Sequence, residues 1–253
     1  MTGRVELSIS DGVGHILIAR PEKLNAITRD MANQLRDICR EIDDNDQIKA
    51  ATITGAGERA FSAGSDLNAL ADISQIWSFR NRVEYAAVVR DIRKPVIAGL
   101  KGWVLGGGME IALAADIRIA GRSARIGGPE VTRGWVGGGG ASQMLPRLVG
   151  YGQTMKMLLL GDAVDADSAL RIGLVEEVVD DAEVLPRVTE LAARVASLSS
   201  TATQAVKAAV RAAMSMSLEA GLRYENEVHV ICMADKDRLE GVKAFQEKRE
   251  AKF

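Results

Sequence analysis

The chain opens on an alternation of apolar and polar positions: Val5, Leu7 and Ile9 share one face, and after Asp11-Gly12 the run His15-Ile16-Leu17-Ile18 follows. A period of two interrupted by Asp-Gly predicts a β-hairpin. From Thr28 the period lengthens. Met31, Leu35, Ile38 and Ile42 recur at spacings of four, three and four, one stripe of a helix for which Thr28 is the expected N-cap. Residues 50–54 predict a strand, followed by a glycine-bearing loop. A second helix is expected from about Ser74 to Ile92, ending before Lys94-Pro95 because the position preceding a proline disfavours helical backbone. Residues 96–100 then predict an apolar strand, 102–108 a loop, 110–115 a helix and 117–120 another strand.

Beyond Pro129 the pattern changes. Residues 137–140 are four glycines in a row, and 142–149, 152–160 and 166–172 predict short helical pieces. Residues 174–179 predict the last strand. Val184, Leu185, Val188, Leu191, Val195 and Leu198 keep a helical stripe, Thr201 is the expected cap of the next helix, and alanines at 202, 205, 208, 209, 212 and 213 suit close helix packing. The final stretch, from Tyr224 to Lys252, is helical and increasingly charged. The chain thus divides into an α/β core over residues 1–180 and an all-helical region over 181–253, whose long, partly apolar helices suit packing on another subunit.

Composition narrows the function. Across 253 residues, 32 Lys+Arg against 34 Asp+Glu give a net charge of -2, and no sustained basic block is present to follow a phosphate backbone, so nucleic acid is not the expected partner. Cys39 and Cys232 stand far apart with no zinc-like spacing, which suits free thiols in a reducing compartment. No apolar run approaches the roughly 18 residues of a membrane span, and no secretory signal follows Met1. A cytoplasmic protein without membrane contact is expected.

Three glycine-bearing corners carry the candidate chemistry: Phe61-Ser62-Ala63-Gly64-Ser65-Asp66-Leu67, Leu105-Gly106-Gly107-Gly108-Met109-Glu110, and Gly128-Pro129-Glu130 with 136–140. Corners that follow strands are where α/β folds place ligands. Each alone has an ordinary structural explanation: glycine permits tight turns, Asp66 can cap a helix, and Glu110 can complement a helix dipole. A dinucleotide fingerprint is weak here, because Ile111 stands where a third glycine is wanted.

Taken together, and with Arg20-Pro21-Glu22-Lys23-Leu24-Asn25-Ala26, Lys94-Pro95-Val96-Ile97-Ala98 and the stretch from Glu240 to Arg249, the corners resemble the crotonase (enoyl-CoA hydratase/isomerase) superfamily over essentially the whole chain. The resemblance implies an α/β spiral of repeated β-β-α turns with a helical C-terminal trimerisation region, and a homotrimer or a dimer of trimers. It places an oxyanion hole for a thioester carbonyl on the backbone N–H groups of Ser65 and Gly107, donors fixed in advance at a loop and a helix N-terminus. It matches Glu110 and Glu130 to the acid/base pair of the hydratases, and Gly138 to a glycine that holds the attacking water. Coenzyme A, as part of an acyl-CoA substrate and with no further cofactor or metal, would meet Glu22, Lys23, Leu24, Ala26, Ala63, Asp66 and Leu67, with Phe245 and Lys248 as C-terminal contacts.

Two carboxylates favour hydration of a 2-enoyl-CoA over the sister reactions of the family: double-bond isomerisation, dehydration of a substituted hydroxyacyl-CoA and carbon–carbon cleavage. A non-enzymatic role in binding RNA or protein is a further alternative. The family's proline before the loop glycines is absent, since the sequence reads Gly134-Trp135-Val136-Gly137. Trp103 and Trp135, near the catalytic corners, are expected to narrow the acyl pocket towards a short or unusual acyl group. Asp116 is expected to be structural, and neither His15 nor His229 is expected to be catalytic.

Overall fold

The computed structural model describes residues 3–67 and 75–253. Two parallel-rich sheets organise the chain, and successive segments visit them in turn. The larger sheet has the order β1(Arg4–Ser10), β2(Val13–Ala19), β3(Ala50–Gly55), β5(Val96–Leu100), β7(Ile117–Gly121), β10(Glu177–Val179). The smaller has β4(Ala60–Ser62), β6(Trp103–Leu105), β8(Arg125–Gly127), β9(Val164–Asp165). Among the described strands, only the hairpin β1–β2 and the pair β8–β9 are antiparallel. Each of three turns of chain therefore supplies one strand to the large sheet, one to the small sheet, and then helix: β3 and β4, β5 and β6, β7 and β8. That is the expected spiral of β-β-α turns.

The hairpin turns at Asp11 and Gly12, both with positive φ (50° and 76°), as a two-residue turn between twisted strands requires. Helix α1(Arg29–Asp44) starts at Thr28, whose Oγ1 accepts from Met31 N at 3.2 Å, and buries Met31, Leu35, Cys39 and Ile42 against the large sheet. The other face of that sheet is covered by α7(Val184–Ala196). Val188, Ala192 and Ala196 pack on Val13, Ala50, Ile97 and Ile119. Each branched side chain so buried stabilises by roughly 1.5–3 kcal/mol. The first helix after residue 180 is therefore packed into the sheet, and the chain beyond it continues as α8(Ser200–Ala213), α9(Leu218–Ala234) and α10(Asp237–Glu247).

Several local expectations are corrected. The stretch expected as one helix to Ile92 forms α2(Ile76–Arg80) and α3(Tyr85–Arg90), separated at 81–84; Ser74 lies outside the described residues. Glu84 caps α3 through Ala86 N and Ala87 N, and so starts a new helix where the pattern suggested continuity. The loop expected at 102–108 holds β6 and the first turn of α4(Gly107–Ala114). The two pieces expected around Gly152 form α5(Ala141–Leu160), interrupted at Gly150 (φ 76°, ψ 167°), and they are followed by α6(Ala166–Arg171). Ser199, not Thr201, caps α8, accepting from Ala202 N; Thr201 Oγ1 bonds Asp235 Oδ2 at 2.5 Å instead.

Asp116 takes the structural place expected of it. It accepts from Val96 N at 2.8 Å and pairs with Lys207 (2.6 Å) and Arg211 (3.2 Å), tying α8 to the sheet. His15 bonds Ser10 and Thr52 on the sheet surface. Among the described residues, no helix is long and apolar enough to cross a membrane.

Candidate active site

Strands β4, β6 and β8 are parallel neighbours, so the three glycine corners that leave their C-terminal ends stand side by side. The first is held by the loop from Leu24 to Ile27, after β2. Ala63 N donates to Leu24 O (2.9 Å), Ile27 N to Gly64 O (2.7 Å) and Asp66 N to Ile27 O (2.9 Å), which brackets Ser65 without using its N–H. The second leads directly into α4, whose opening N–H groups have no partner within the helix. Gly64, at φ 86°, comes so close that a methyl group there would lie 2.7 Å from Gly107 N. The two N–H groups assigned by resemblance thus belong to touching corners.

All eight residues of α4 are buried, and Glu110 is only 3 % exposed. Its Oε1 accepts from Gly139 N at 2.8 Å and Ala141 N at 3.2 Å, both on the third corner. Burial pushes its pKa up to about 7, with the neighbouring Glu130 and Glu84 carboxylates adding to the rise and the two N–H donors opposing it. Glu130 lies on a 3-10 turn, Pro129–Arg133, half-buried. Burial raises its pKa too, against the pull of its own backbone N–H and of the Arg133 guanidinium. A methyl group on Gly137 would sit 2.7 Å from Glu110 Oε1 and 3.6 Å from Glu130 Oε1, so the carboxylates converge over this glycine. The glycine run leaves open the space a side chain would fill.

Around this meeting point is a cleft of about 750 Å³. Of the residues nominated from sequence, Lys23, Leu24, Ala26, Ala63, Ser65, Asp66, Leu67, Gly107, Glu110, Glu130, Trp135 and Gly138 line it. Glu22, Trp103, Phe245 and Lys248 are not among the lining residues. Trp103 sits on β6, paired with Arg125, and is 43 % exposed. Phe245 is 86 % exposed and Lys248 ends α10 in left-handed backbone (φ 52°), so neither meets the cleft of its own chain.

The cleft also contains residues that sequence reasoning missed. Arg20 closes one wall through an ion pair with Asp66 at 2.6 Å. From the 81–84 break come Arg82, Glu84 and Tyr85. The Tyr85 hydroxyl is 2.8 Å from Ser65 Oγ, and a methyl group on Gly107 would overlap it. Burial raises its pKa, so it stays a protonated phenol. No glycine or proline in residues 75–92 signals this break; the helix that ends at Asn81 and the new one that Glu84 starts bring the three side chains to the cleft.

A family model described as enoyl-CoA hydratase/isomerase matches residues 8–253. The crotonyl-CoA hydratase of Syntrophomonas wolfei is 36% identical over 245 residues, covering 94% of this chain and 93% of that protein. The short-chain-enoyl-CoA hydratase of Clostridium acetobutylicum is 36% identical over 240 residues, with 94% and 92% covered. The solved structure of DspI from Pseudomonas aeruginosa superposes with a TM-score of 0.94 at 38% identity, over 100% of this chain and 97% of that one.

Proposed function

We propose, from the premise that the chain belongs to the enoyl-CoA hydratase/isomerase family, that it catalyses reversible syn addition of water to a short or unusual trans-2-enoyl-CoA. The observation that carries this reading is the convergence of Glu110 and Glu130 over Gly137, beside the touching Ser65 and Gly107 corners. In the hydration direction Glu110 takes a proton from water as its oxygen bonds C3. The C2–C3 electron pair shifts towards the thioester oxygen, which the N–H groups of Ser65 and Gly107 stabilise, and Glu130 delivers a proton to C2. Gly138 would help to hold the water.

One proton shared by two carboxylates serves both directions. Burial raises both pKa values, that of Glu110 to about 7; with the proton on Glu110 the pair can protonate a departing hydroxyl while Glu130 removes the C2 proton. Hydration uses the complementary form, with Glu110 ionised and the proton on Glu130.

Lys23, Leu24, Ala26, Ala63, Asp66 and Leu67 would hold coenzyme A, which arrives as part of the substrate, and the chemistry calls for no other cofactor. Exposed apolar side chains on α8 to α10, including Val206, Val210, Leu222 and Ile231, suit the expected homotrimer or pair of trimers. Phe245 and Lys248 would then reach a neighbouring subunit's coenzyme. The direct test is loss of enoyl absorbance for 2-enoyl-CoA thioesters of increasing length. With Trp135 lining the cleft, the four-carbon thioester is expected to react faster than those of ten carbons or more; the reverse order overturns the short-acyl reading, and inertness of every thioester overturns hydration.

A further inference from the structure

Four cations line the cleft, and three are accounted for. Arg20 is paired with Asp66. Arg133 acts on Glu130, whose pKa it holds down. Lys23 stands exposed on the turn assigned to coenzyme A. Arg82 is different: it is half-buried, and among the described residues no ion pair with a carboxylate involves it.

The Arg82 guanidinium is nevertheless held in place. It stacks on the Phe79 ring at 4.2 Å from the centroid, and its Nη1 donates to Phe79 O at 3.1 Å. Its other terminal nitrogen would lie 3.0 Å from a methyl group on Gly138. Along three consecutive glycines, Gly137 therefore faces Glu110 and Glu130, Gly138 faces Arg82, and Gly139 faces Glu110 and Glu84. Adjacent Cα atoms are only about 3.8 Å apart, so the guanidinium stands within a few carbon–carbon bonds of the reacting carboxylates. Glu84 forms no ion pair with it, and its oxygens instead accept from Ala86 N and Ala87 N at the start of α3.

A planar cation fixed on an aromatic ring, with a free edge towards a cleft that Tyr85, Leu105, Trp135 and Val136 otherwise make apolar, is built to meet a planar anion. The Glu84, Glu110 and Glu130 carboxylates beside the glycine run make free anions unwelcome, unless one is covalently delivered. We propose that the acyl group of the substrate itself carries a carboxylate, which Arg82 binds when C2 and C3 lie between Glu110 and Glu130. The proposal rests on the acyl-CoA reading of the cleft but not on which reaction follows. A methyl-ended acyl chain would leave the guanidinium half-desolvated and unpaired, whereas an acyl carboxylate two or three carbons beyond C3 replaces the lost water with a charged hydrogen bond.

The test uses non-reacting saturated thioesters matched in length: glutaryl-CoA against valeryl-CoA, and adipyl-CoA against hexanoyl-CoA, titrated calorimetrically into the full chain. Wild type is expected to bind at least one dicarboxylic partner about 10- to 100-fold more tightly than its methyl-ended counterpart, the range for a hydrogen bond to a charged group. Arg82→Met should collapse that ratio to one or below, and Arg82→Lys, which keeps charge but loses the planar fork, should leave an intermediate ratio. Equal or weaker binding of both dicarboxylic thioesters by wild type overturns the proposal. So does an Arg82→Met variant that weakens all four equally, since Arg82 would then be serving coenzyme A. Failure of the hydratase reading remains separable: a protein that prefers the carboxylate thioesters yet hydrates no enoyl-CoA, including one ending in a carboxylate, loses the reaction and keeps the ligand.

Discussion

Glu110 and Glu130 approach the same glycine loop, yet the two regions that present them are built on opposite principles. Helix α4 is buried at every position, and its one carboxylate is pinned by the Gly139 and Ala141 N–H groups. The segment from Gly128 to Gly140 is a 3-10 turn followed by a glycine run, largely exposed, with Trp135 and Val136 open to solvent. Burial fixes the first group and raises the cost of its charge, while the second keeps contact with water and with Arg133. Under the proposed hydration reading, this arrangement separates the group whose proton must be placed reproducibly from the loop that would surround the acyl chain.

If that contrast governs the chemistry, the two carboxylates should not be equivalent. Glu110→Gln and Glu130→Gln are both expected to lower kcat for crotonyl-CoA within the roughly 10²–10⁴ range of a positioned acid or base, with Glu110 near the upper end and Glu130 near the lower. Steady-state rates on purified, folded variants decide it. Near-wild-type turnover by either variant removes that residue from the mechanism, and a larger loss at Glu130 inverts the contrast.

The same burial ties stability and rate at Glu110 to one titration. Its folded pKa, about 7, lies above the ordinary value of 4.5, so between these pH values the folded chain holds a proton that the unfolded chain has released. Stability from this group is present at low pH and is lost as pH rises through about 7. The loss amounts to about 3 kcal/mol at 1.36 kcal/mol per unit. Hydration needs one proton on the pair, with Glu110 ionised and Glu130 protonated, so kcat/KM for hydration should fall as pH rises through about 7 and the pair loses that proton. Glu110→Gln carries no such charge, and denaturant unfolding should find it more stable than wild type at pH 8, with the advantage disappearing towards pH 4.5. A variant uniformly less stable at every pH would show that packing, not ionisation, dominates at this position.

Where one face of an element meets the core, the sequence was readable. The stripes of α1 and α7 and the alternation of β2 bury residues at the period of their own backbone, whereas Ile9 on β1, expected to share a face with buried Val5, is exposed. Strands β4, β6 and β8 left no comparable trace. Each has three residues between glycine-containing corners, and each is a strand only because its parallel neighbours pair with it. The corners themselves were legible as motifs, and with them Ser65, Gly107, Glu110 and Glu130. Trp103 was nominated by proximity in sequence to Gly106, but it lies one strand before the corner and outside the cleft lining. Arg82, Glu84 and Tyr85 were hidden in an apparently continuous helix, because a break capped by a glutamate side chain carries no glycine or proline to announce it.

Tyr85 is the member of that hidden group closest to the rigid half of the site. It is the first residue of α3, buried to 9 % exposure, and its hydroxyl fills the gap between Ser65 Oγ and the Cα of Gly107. A protonated phenol there bridges the two corners to which the proposed oxyanion-hole donors belong. Tyr85→Phe removes only that hydroxyl, leaving the ring packed on α4. The expected result is a fall in kcat of about tenfold, the scale of one hydrogen bond at about 1.4 kcal/mol. The effect on a chromophoric 3-aryl-2-enoyl-CoA separates positioning from packing. If the hydroxyl keeps the two donors aligned, the long-wavelength shift that carbonyl polarisation gives the bound thioester should shrink in Tyr85→Phe; an unchanged shift with lowered thermal stability would leave Tyr85 as core alone, and the rigid region would then owe its alignment to Gly64 and Gly107 without help from the side chain between them.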